Sequence, residues 1–366
     1  AGGRDYAAMS EREAAVGHNL AVWPGITAPV AAPADVQPLF LMNGMTLDGN
    51  LNGMLEVMAQ RCFETDLTDR ERVARIVEQR FAVCREQLVA EAPDGLPLRA
   101  GRGQSAFYHL ADRLNWVSQY LFMRQVAEMV ESSEGIEKVI CALARIRDFI
   151  REQGITTISF AGTERGEKKI RADRARFQSG SRVQGKGGAK SFSGEEVVNE
   201  GIAYPVGVNY VTMTWPCVAP KSEEAPVFTL IGHELSTGAL WEDVRLKGGA
   251  YGVNASYHAS ACLFVVSSTE DPQIVRTLET FRNVPTSLKS RVAAYEQETF
   301  EQVILGAAKG IDIPARGRDA AGRALEFHLR GVTREMRQDF LERILEVTPS
   351  QVAESCERWL QQGLYQ

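Results

Sequence analysis

The sequence predicts an α+β protein of two units, on three observations. Helical periodicity comes in long blocks, interrupted by a few short alternating or β-branched runs, unlike the strict strand–helix alternation of a doubly wound sheet. A length of 366 residues suits two domains better than one. Between the blocks, residues 163–200 lose nearly all large apolar side chains and gain glycine and positive charge. The expected organisation is a first unit over 1–162, a basic Gly-rich linker or loop over 163–200, and a second unit over 201–366.

Residues 23–37 are rich in Pro and Ala and lead into a short strand candidate, Leu39-Phe40-Leu41-Met42. Helices are expected over 48–60 and 68–92, the second with Val73, Ile76, Val77, Phe81, Val83 and Leu88 on an apolar face. Another long helical pattern runs over 104–131. Ser133 suits the cap of a helix over 134–153, which Gly154 ends. Ile155 to Ala161 is β-branched and reads as a strand.

The linker carries nine Lys/Arg between Arg165 and Lys190, with Phe177 and Phe192 as its aromatics. It reads as a solvated segment rather than a phosphate-binding surface. Beyond it, Tyr204 to Cys217 alternates as a strand, with Val206, Val208, Tyr210 and Thr212 on one side. A helix over 224–244 is followed by a strand at 250–257, which pairs as a hairpin with Ala261 to Ser267. Asp271-Pro272 opens the next helix, since Asp caps and Pro is tolerated in a first turn. The rest reads as helices over 288–309, 317–330, 333–346 and 349–363.

Composition is that of an ordinary globular chain, 44% hydrophobic and 24% charged. A net charge of −6 gives no bias towards nucleic acid or an anionic membrane surface. No apolar run approaches the roughly 20 residues that span a bilayer. Cys62, Cys84, Cys141, Cys217, Cys262 and Cys356 form no CxxC pair and read as reduced core residues. His18, His109, His233, His258 and His328 include no i,i+3 or i,i+4 pair, and neither HExxH nor HxxEH occurs. His233-Glu234 is the nearest approach. The expectation is therefore that this chain holds no metal. Ser179-Gly180-Ser181 lacks the strand–turn–helix context of a nucleophile, and Gly185 to Lys190 lacks Walker spacing.

The most informative ten residues are Arg245-Leu-Lys-Gly-Gly-Ala-Tyr-Gly-Val-Asn254. A helix that stops at Gly248-Gly249 and re-enters as a strand lets backbone approach a neighbour closely, because glycine lacks Cβ. Arg245 and Tyr251 flank the turn, and both donate hydrogen bonds. Taken alone, these residues also fit a helix C-cap with a surface Arg and a half-buried Tyr.

Leu235-Ser-Thr-Gly-Ala-Leu-Trp241-Glu-Asp-Val-Arg245-Leu-Lys-Gly-Gly-Ala-Tyr251-Gly resembles the C-terminal half of the insulinase/pitrilysin superfamily of zinc metallopeptidases, on its presequence protease branch. Val208 to Val211, Ser268 to Pro272 with Thr277, Leu278 and Phe281, and Gly322 through Gln338 are similar to the family in order. So are Leu47-Asp48-x-Asn50 and Phe63 through Arg72. One departure is Thr269-Glu270, where the family often has Tyr-Arg.

The resemblance implies two related domains of the LuxS/MPP-like metallohydrolase type, each an antiparallel-rich sheet against blocks of helices. The first is an incomplete third domain and the second a fourth domain. It implies a zinc endopeptidase that degrades short unstructured peptides in a closed chamber, with zinc held by an N-terminal half that this chain lacks. Arg245 and Tyr251 are then the catalytic contacts beside the scissile bond, with Gly248, Gly249, Ala250 and Asn209 around the substrate. Expected partners are that zinc-bearing half and unstructured peptides, with no nucleic acid and no membrane. The expected compartment is a bacterial cytoplasm, with an organelle or the periplasm as alternatives. The competing reading is an inactive scaffold subunit that supports a separate catalytic chain.

Overall fold

The computed structural model describes residues 5–177, 192, 194, 199–311 and 317–361. Helix α1 (Tyr6–Val16) starts at Asp5, whose carboxylate accepts from the Ala8 amide at 2.8 Å. Strands β1 (His18–Thr27) and β2 (Gln37–Met45) form an antiparallel two-stranded sheet in which Val22 faces Met42 and Thr27 faces Gln37. Strand β1 is not expected from sequence because it contains Pro24. In a two-stranded sheet each strand has a free edge, so a residue without an N–H is tolerated.

Helices α2 (Leu51–Phe63), α3 (Arg70–Glu86), α4 (Ala92–Ala100), α5 (Ala106–Leu114), α6 (Trp116–Val130) and α7 (Ser133–Gln153) follow. The buried stripe of α3 is Val73, Val77 and Cys84, while Ile76 and Val83 are exposed. The expected helix over 104–131 is two helices. Trp116 takes a left-handed φ of 48° at the break. Its ring sits where a Cβ on Gly95 would lie 2.4 Å away, and its indole N–H donates to the Leu88 carbonyl at 2.7 Å. Burial of one large ring outweighs continuity of the helix.

Residues 155–161 form no strand. Ile155 and Ile158 are exposed, so β-branched propensity without a partner strand makes no ladder. The expected linker begins instead with helix α8 (Glu164–Asp173), capped by Thr163. Its charges are placed at helical spacing, with Lys168–Glu164 at 2.6 Å and Arg171–Glu167 at 2.7 Å. Residues 178–191, which include the glycine-rich and Walker-like stretch, lie outside the described residues.

Strand β3 (Asn209–Pro216) begins five residues later than expected. Helix α9 (Ala225–Thr237) ends at Gly238 and gives way to a π-turn, Trp241–Leu246. Strands β4 (Gly252–His258) and β5 (Leu263–Asp271) form the expected hairpin, and the sheet order is β3-β5-β4, all antiparallel. Helices α10 (Ile274–Arg282), α11 (Val284–Ala293), α12 (Gln297–Ile311), α13 (Arg318–Arg330), α14 (Arg334–Leu345) and α15 (Pro349–Ser355) follow, and a second π-turn, Cys356–Gln361, ends the described chain. The helix expected over 288–309 is thus α11 and α12.

Strand β5 explains its own sequence. Leu263-Phe-Val-Val266 is a continuous apolar run because both faces are covered. Phe264 and Val266 enter the main core with Trp215, Phe228, Leu230 and Leu288. Leu263 and Val265 face the other way, against Tyr108 of α5 and Leu98 of α4. Helices α4 and α5 therefore roof the sheet of β3, β5 and β4. Gly101 marks the closest approach, since a Cβ there would lie 2.5 Å from the Tyr108 ring and 2.6 Å from Leu263. The protein is α+β, as the blocks of periodicity predict.

Candidate functional site

The turn between α9 and β4 is built in three steps. Helix α9 carries Val227, Phe228, Leu230, Ile231 and Leu235 into the core, so its direction is fixed by burial. Gly238 ends it, and the chain re-forms as one turn of π-helix, a short form that recurs at functional sites. Leu240, Val244 and Ala250 anchor that turn inside, each under 5% exposed. The exit closes through hydrogen bonds from Gly249 N to Arg245 O at 3.0 Å and from Ala250 N to Val244 O at 3.1 Å. Gly249 has φ +86°, a conformation that disfavours any side chain. At Gly248 a Cβ would lie 2.4 Å from the Val244 carbonyl, so both glycines are required, for different reasons.

This geometry sorts the expected substrate contacts. The Gly248 carbonyl accepts from Gln273 Nε2 at 2.8 Å, and the Tyr251 amide donates to the Thr269 carbonyl at 3.1 Å. Together with the Gly249 and Ala250 amides, these groups are committed inward. Asn209 sits at the same end of the sheet, opposite Asp271, and its side-chain amide donates to the Asp271 carbonyl at 2.8 Å. Its bond ties the sheet end. The side chains that face outward are Arg245 and Tyr251, the latter 68% exposed. The Arg245 guanidinium lies over the Trp241 ring at 4.2 Å and 5.5 Å from the Tyr251 ring centre, and donates from Nη1 to the Tyr251 carbonyl. No carboxylate pairs with Arg245 among the described residues. The structure thus brings Arg245, Tyr251 and the two glycines together, and puts Asn209 at the neighbouring sheet end.

Several residues that support this turn were not singled out by sequence reasoning. Trp241 is one, although its i,i+4 spacing to Arg245 was readable. Asp271, expected only as a helix cap, is 1% exposed and accepts from Ser268 Oγ and Thr277 Oγ1 as well as from the Gln273 amide, each at 2.7 Å. That carboxylate welds β5 to α10 behind the turn. Glu242 in the π-turn is held below the usual carboxylate range by its bonds to Lys247 and Arg291. Lys247 is raised by the same Glu242 and by Asp243. Arg291 keeps a raised pKa despite burial, through bonds to Tyr295 and Glu242. Tyr295 is pushed up to about 12 by burial and by its bond to Glu234. The Lys247–Asp243 pair is at local i,i+4 spacing, but no local pattern announces Glu234, Arg291 and Tyr295, which come from α9, α11 and the residue pair after α11.

The described residues hold no group of three or more His, Cys, Asp or Glu that could hold a metal ion. The His233-Glu234 pair fails on geometry. The His233 ring lies where a Cβ on Gly306 would be 2.1 Å from Nε2, and Glu234 Oε1 is taken by Arg291 and Tyr295. His258 is occupied by Tyr108 and Ser256, at 2.7 and 2.9 Å. The zinc implied by the family resemblance does not fit these side chains.

Residues 199–354 match the family described as the PreP C-terminal domain. Residues 2–126 match the family described as associated with subfamily C of the M16 peptidases. Across these two segments the chain is similar to the C-terminal part of presequence-protease-like M16 proteins. The mitochondrial presequence protease of Saccharomyces cerevisiae is 23% identical over 335 residues, covering 88% of this chain and 33% of that protein. A solved peptidase M16 inactive domain from Pseudomonas fluorescens aligns with TM-score 0.58 and 14% identity, over 98% of this chain and 81% of its own. Pitrilysin aligns with TM-score 0.51 and 12% identity, over 92% of this chain and 34% of its own. The chain spans about a third of the length of the curated relatives it matches.

Proposed function

We propose that this chain is the non-zinc-binding half of an M16 zinc metalloendopeptidase acting on short unstructured peptides. Its own contribution is the pair Arg245 and Tyr251. The observation that carries the reading is a guanidinium with no carboxylate partner among the described residues, fixed on Trp241 and paired with an exposed phenol. Arg has five donors and one is used by the Tyr251 carbonyl. Donors held this way stabilise negative charge on a peptide carbonyl oxygen without reorganising when the charge appears. The two side chains bind and orient the peptide carbonyl, while water activation and zinc belong to the other half. An unstructured peptide suits the site because its carbonyls are not already paired within a fold.

The test is hydrolysis of a quenched, unstructured peptide by this chain, alone and combined with an HxxEH-bearing half of the family. Cleavage is expected only in the combination. Arg245→Ala and Tyr251→Phe should each lower kcat roughly 10²–10³-fold, the usual effect of losing one such donor, with little change in peptide affinity. Unchanged turnover in both variants overturns the reading. It would favour the scaffold alternative, which the likeness to a domain described as inactive also supports.

A further inference from the structure

The π-turn that carries Arg245 is tied to the protein interior by a chain of charges. Glu234, on the last turn of α9, is 1% exposed. Its Oε1 accepts from Arg291 Nε at 3.0 Å and from the Tyr295 hydroxyl, while Oε2 is buried with no hydrogen-bond partner. Arg291 reaches outward with its other arm, from Nη1 to Glu242 Oε2 at 3.0 Å. Glu242 in turn pairs with Lys247 at 2.9 Å, and Lys247 with Asp243 at 3.0 Å. The chain therefore runs from a core carboxylate on α9, through α11, to both ends of the π-turn.

Three features separate this from an ordinary surface ion pair, which contributes little. One guanidinium is shared by two carboxylates and a phenol, so its plane is fixed. One carboxylate lies in the core and keeps an unsatisfied oxygen, an arrangement that a fold seeking stability alone does better without. Room is also reserved for it, since a Cβ on Gly238 would lie 2.4 Å from Glu234 Oε1. A single π-turn is a rare form that has few hydrogen bonds of its own, so contacts from outside it help to set its orientation. Leu240 and Val244 hold it in depth, but apolar contacts leave rotation about the helix axis open. The Arg291–Glu242 bond opposes that rotation, and Arg245 lies three residues further on in the same π-turn.

We infer that Arg291, seated on buried Glu234 and bonded to Glu242, is a positioning residue that sets the angle at which the π-turn presents Arg245 to a peptide carbonyl. This rests on the function proposed above. It places the determinant of Arg245 geometry in α11, remote in sequence from the turn.

Hydrogen exchange on the intact chain tests the anchor without reference to activity. In Glu242→Gln the buried Glu234–Arg291 pair is left in place, so the global unfolding midpoint should hold. The amides of Gly249 and Ala250, which close the turn, should exchange roughly ten- to a hundredfold faster, the scale of a lost charge-assisted bond. Arg291→Lys, which lacks a fork to span two carboxylates, should give the same local change. Unaltered exchange in both variants overturns the inference. In the assay with the zinc-bearing half, Glu242→Gln should lower kcat while KM holds. A normal kcat for Glu242→Gln where Arg245→Ala is inactive overturns the positioning role. Normal kcat in both variants overturns the proposed function instead, and exchange alone then decides the anchor.

Discussion

The sheet of β3, β5 and β4 and the hairpin of β1 and β2 are both antiparallel, yet they are held in opposite ways. The three-stranded sheet has one continuous core, from Val211 and Trp215 through Phe228, Phe264 and Phe281 to Val352. In the N-terminal part of the chain, which includes the hairpin, the buried residues split into small separate clusters. Val73, Val77, Met123 and Ile136 form one, Met9, Val16, Met54 and Val57 another, and Leu51, Leu55 and Phe177 a third. Trp23 and Phe40 on the hairpin remain exposed. The difference teaches where precision resides. A side chain needed at a fixed angle belongs on elements with one shared core, and the Arg245 turn hangs from that core by Leu240, Val244 and Ala250.

The comparison is broken most directly by cavities. Phe228→Ala, at a position with no exposed surface, should destabilise the chain by about 3–5 kcal/mol and loosen the Arg245 turn with it. Met54→Ala, in a small cluster, should cost less, about 2 kcal/mol, and leave exchange at Gly249 and Ala250 unaltered. Denaturant midpoints with exchange read on the same samples check both. Equal loosening of the turn by the two variants would mean that the units share one cooperative core.

A smaller effect is expected at the seam between units. Tyr108 is 1% exposed, and its hydroxyl meets His258 Nδ1 at 2.7 Å. Tyr108→Phe should remove about 1 kcal/mol by deleting that bond while keeping the ring against Leu263 and Val265. An unchanged midpoint would show that the seam depends on packing alone.

The smallest effect is the pH dependence at the same place. Burial lowers the pKa of His258, and of His233 in α9, below the ordinary histidine value of 6.5. Between the lowered and the ordinary value the unfolded chain binds more protons, so stability rises with pH through that window. It is full above pH 6.5, falls below that as the unfolded imidazoles take up protons that the folded ones do not, and levels off once the folded imidazoles protonate. His258→Gln should flatten the slope of the urea midpoint between pH 7.5 and about 5, and His233→Gln should flatten the remainder. A slope unchanged in both would assign the acid sensitivity to carboxylates.

Much of the site was legible in the chain, and the reason is local chemistry. Gly248-Gly249 after a helix states a turn that needs a left-handed residue, and Arg245 and Tyr251 flank it at fixed spacing. The strand at Leu263–Val266 is equally local, whereas the cap expected at Ser133 is Ser132 and the cap at Thr163 opens a helix that was not expected. The misreadings have physical causes of the same kind. Residues 155–161 have strand propensity but no partner. The helix over 104–131 breaks because Trp116 has a place to be buried against Gly95.

The sequence by itself determined the α+β class and the Arg245-to-Tyr251 turn, because periodicity, capping and glycine conformation act within a few residues. Only the tertiary structure decided that α4 and α5 roof the second sheet, that β5 is buried on both faces, and that Glu234, Arg291 and Glu242 meet. Those contacts join residues tens of positions apart. Their energy comes from burial and from the pairing of charge in a water-poor interior, which no short window of sequence expresses.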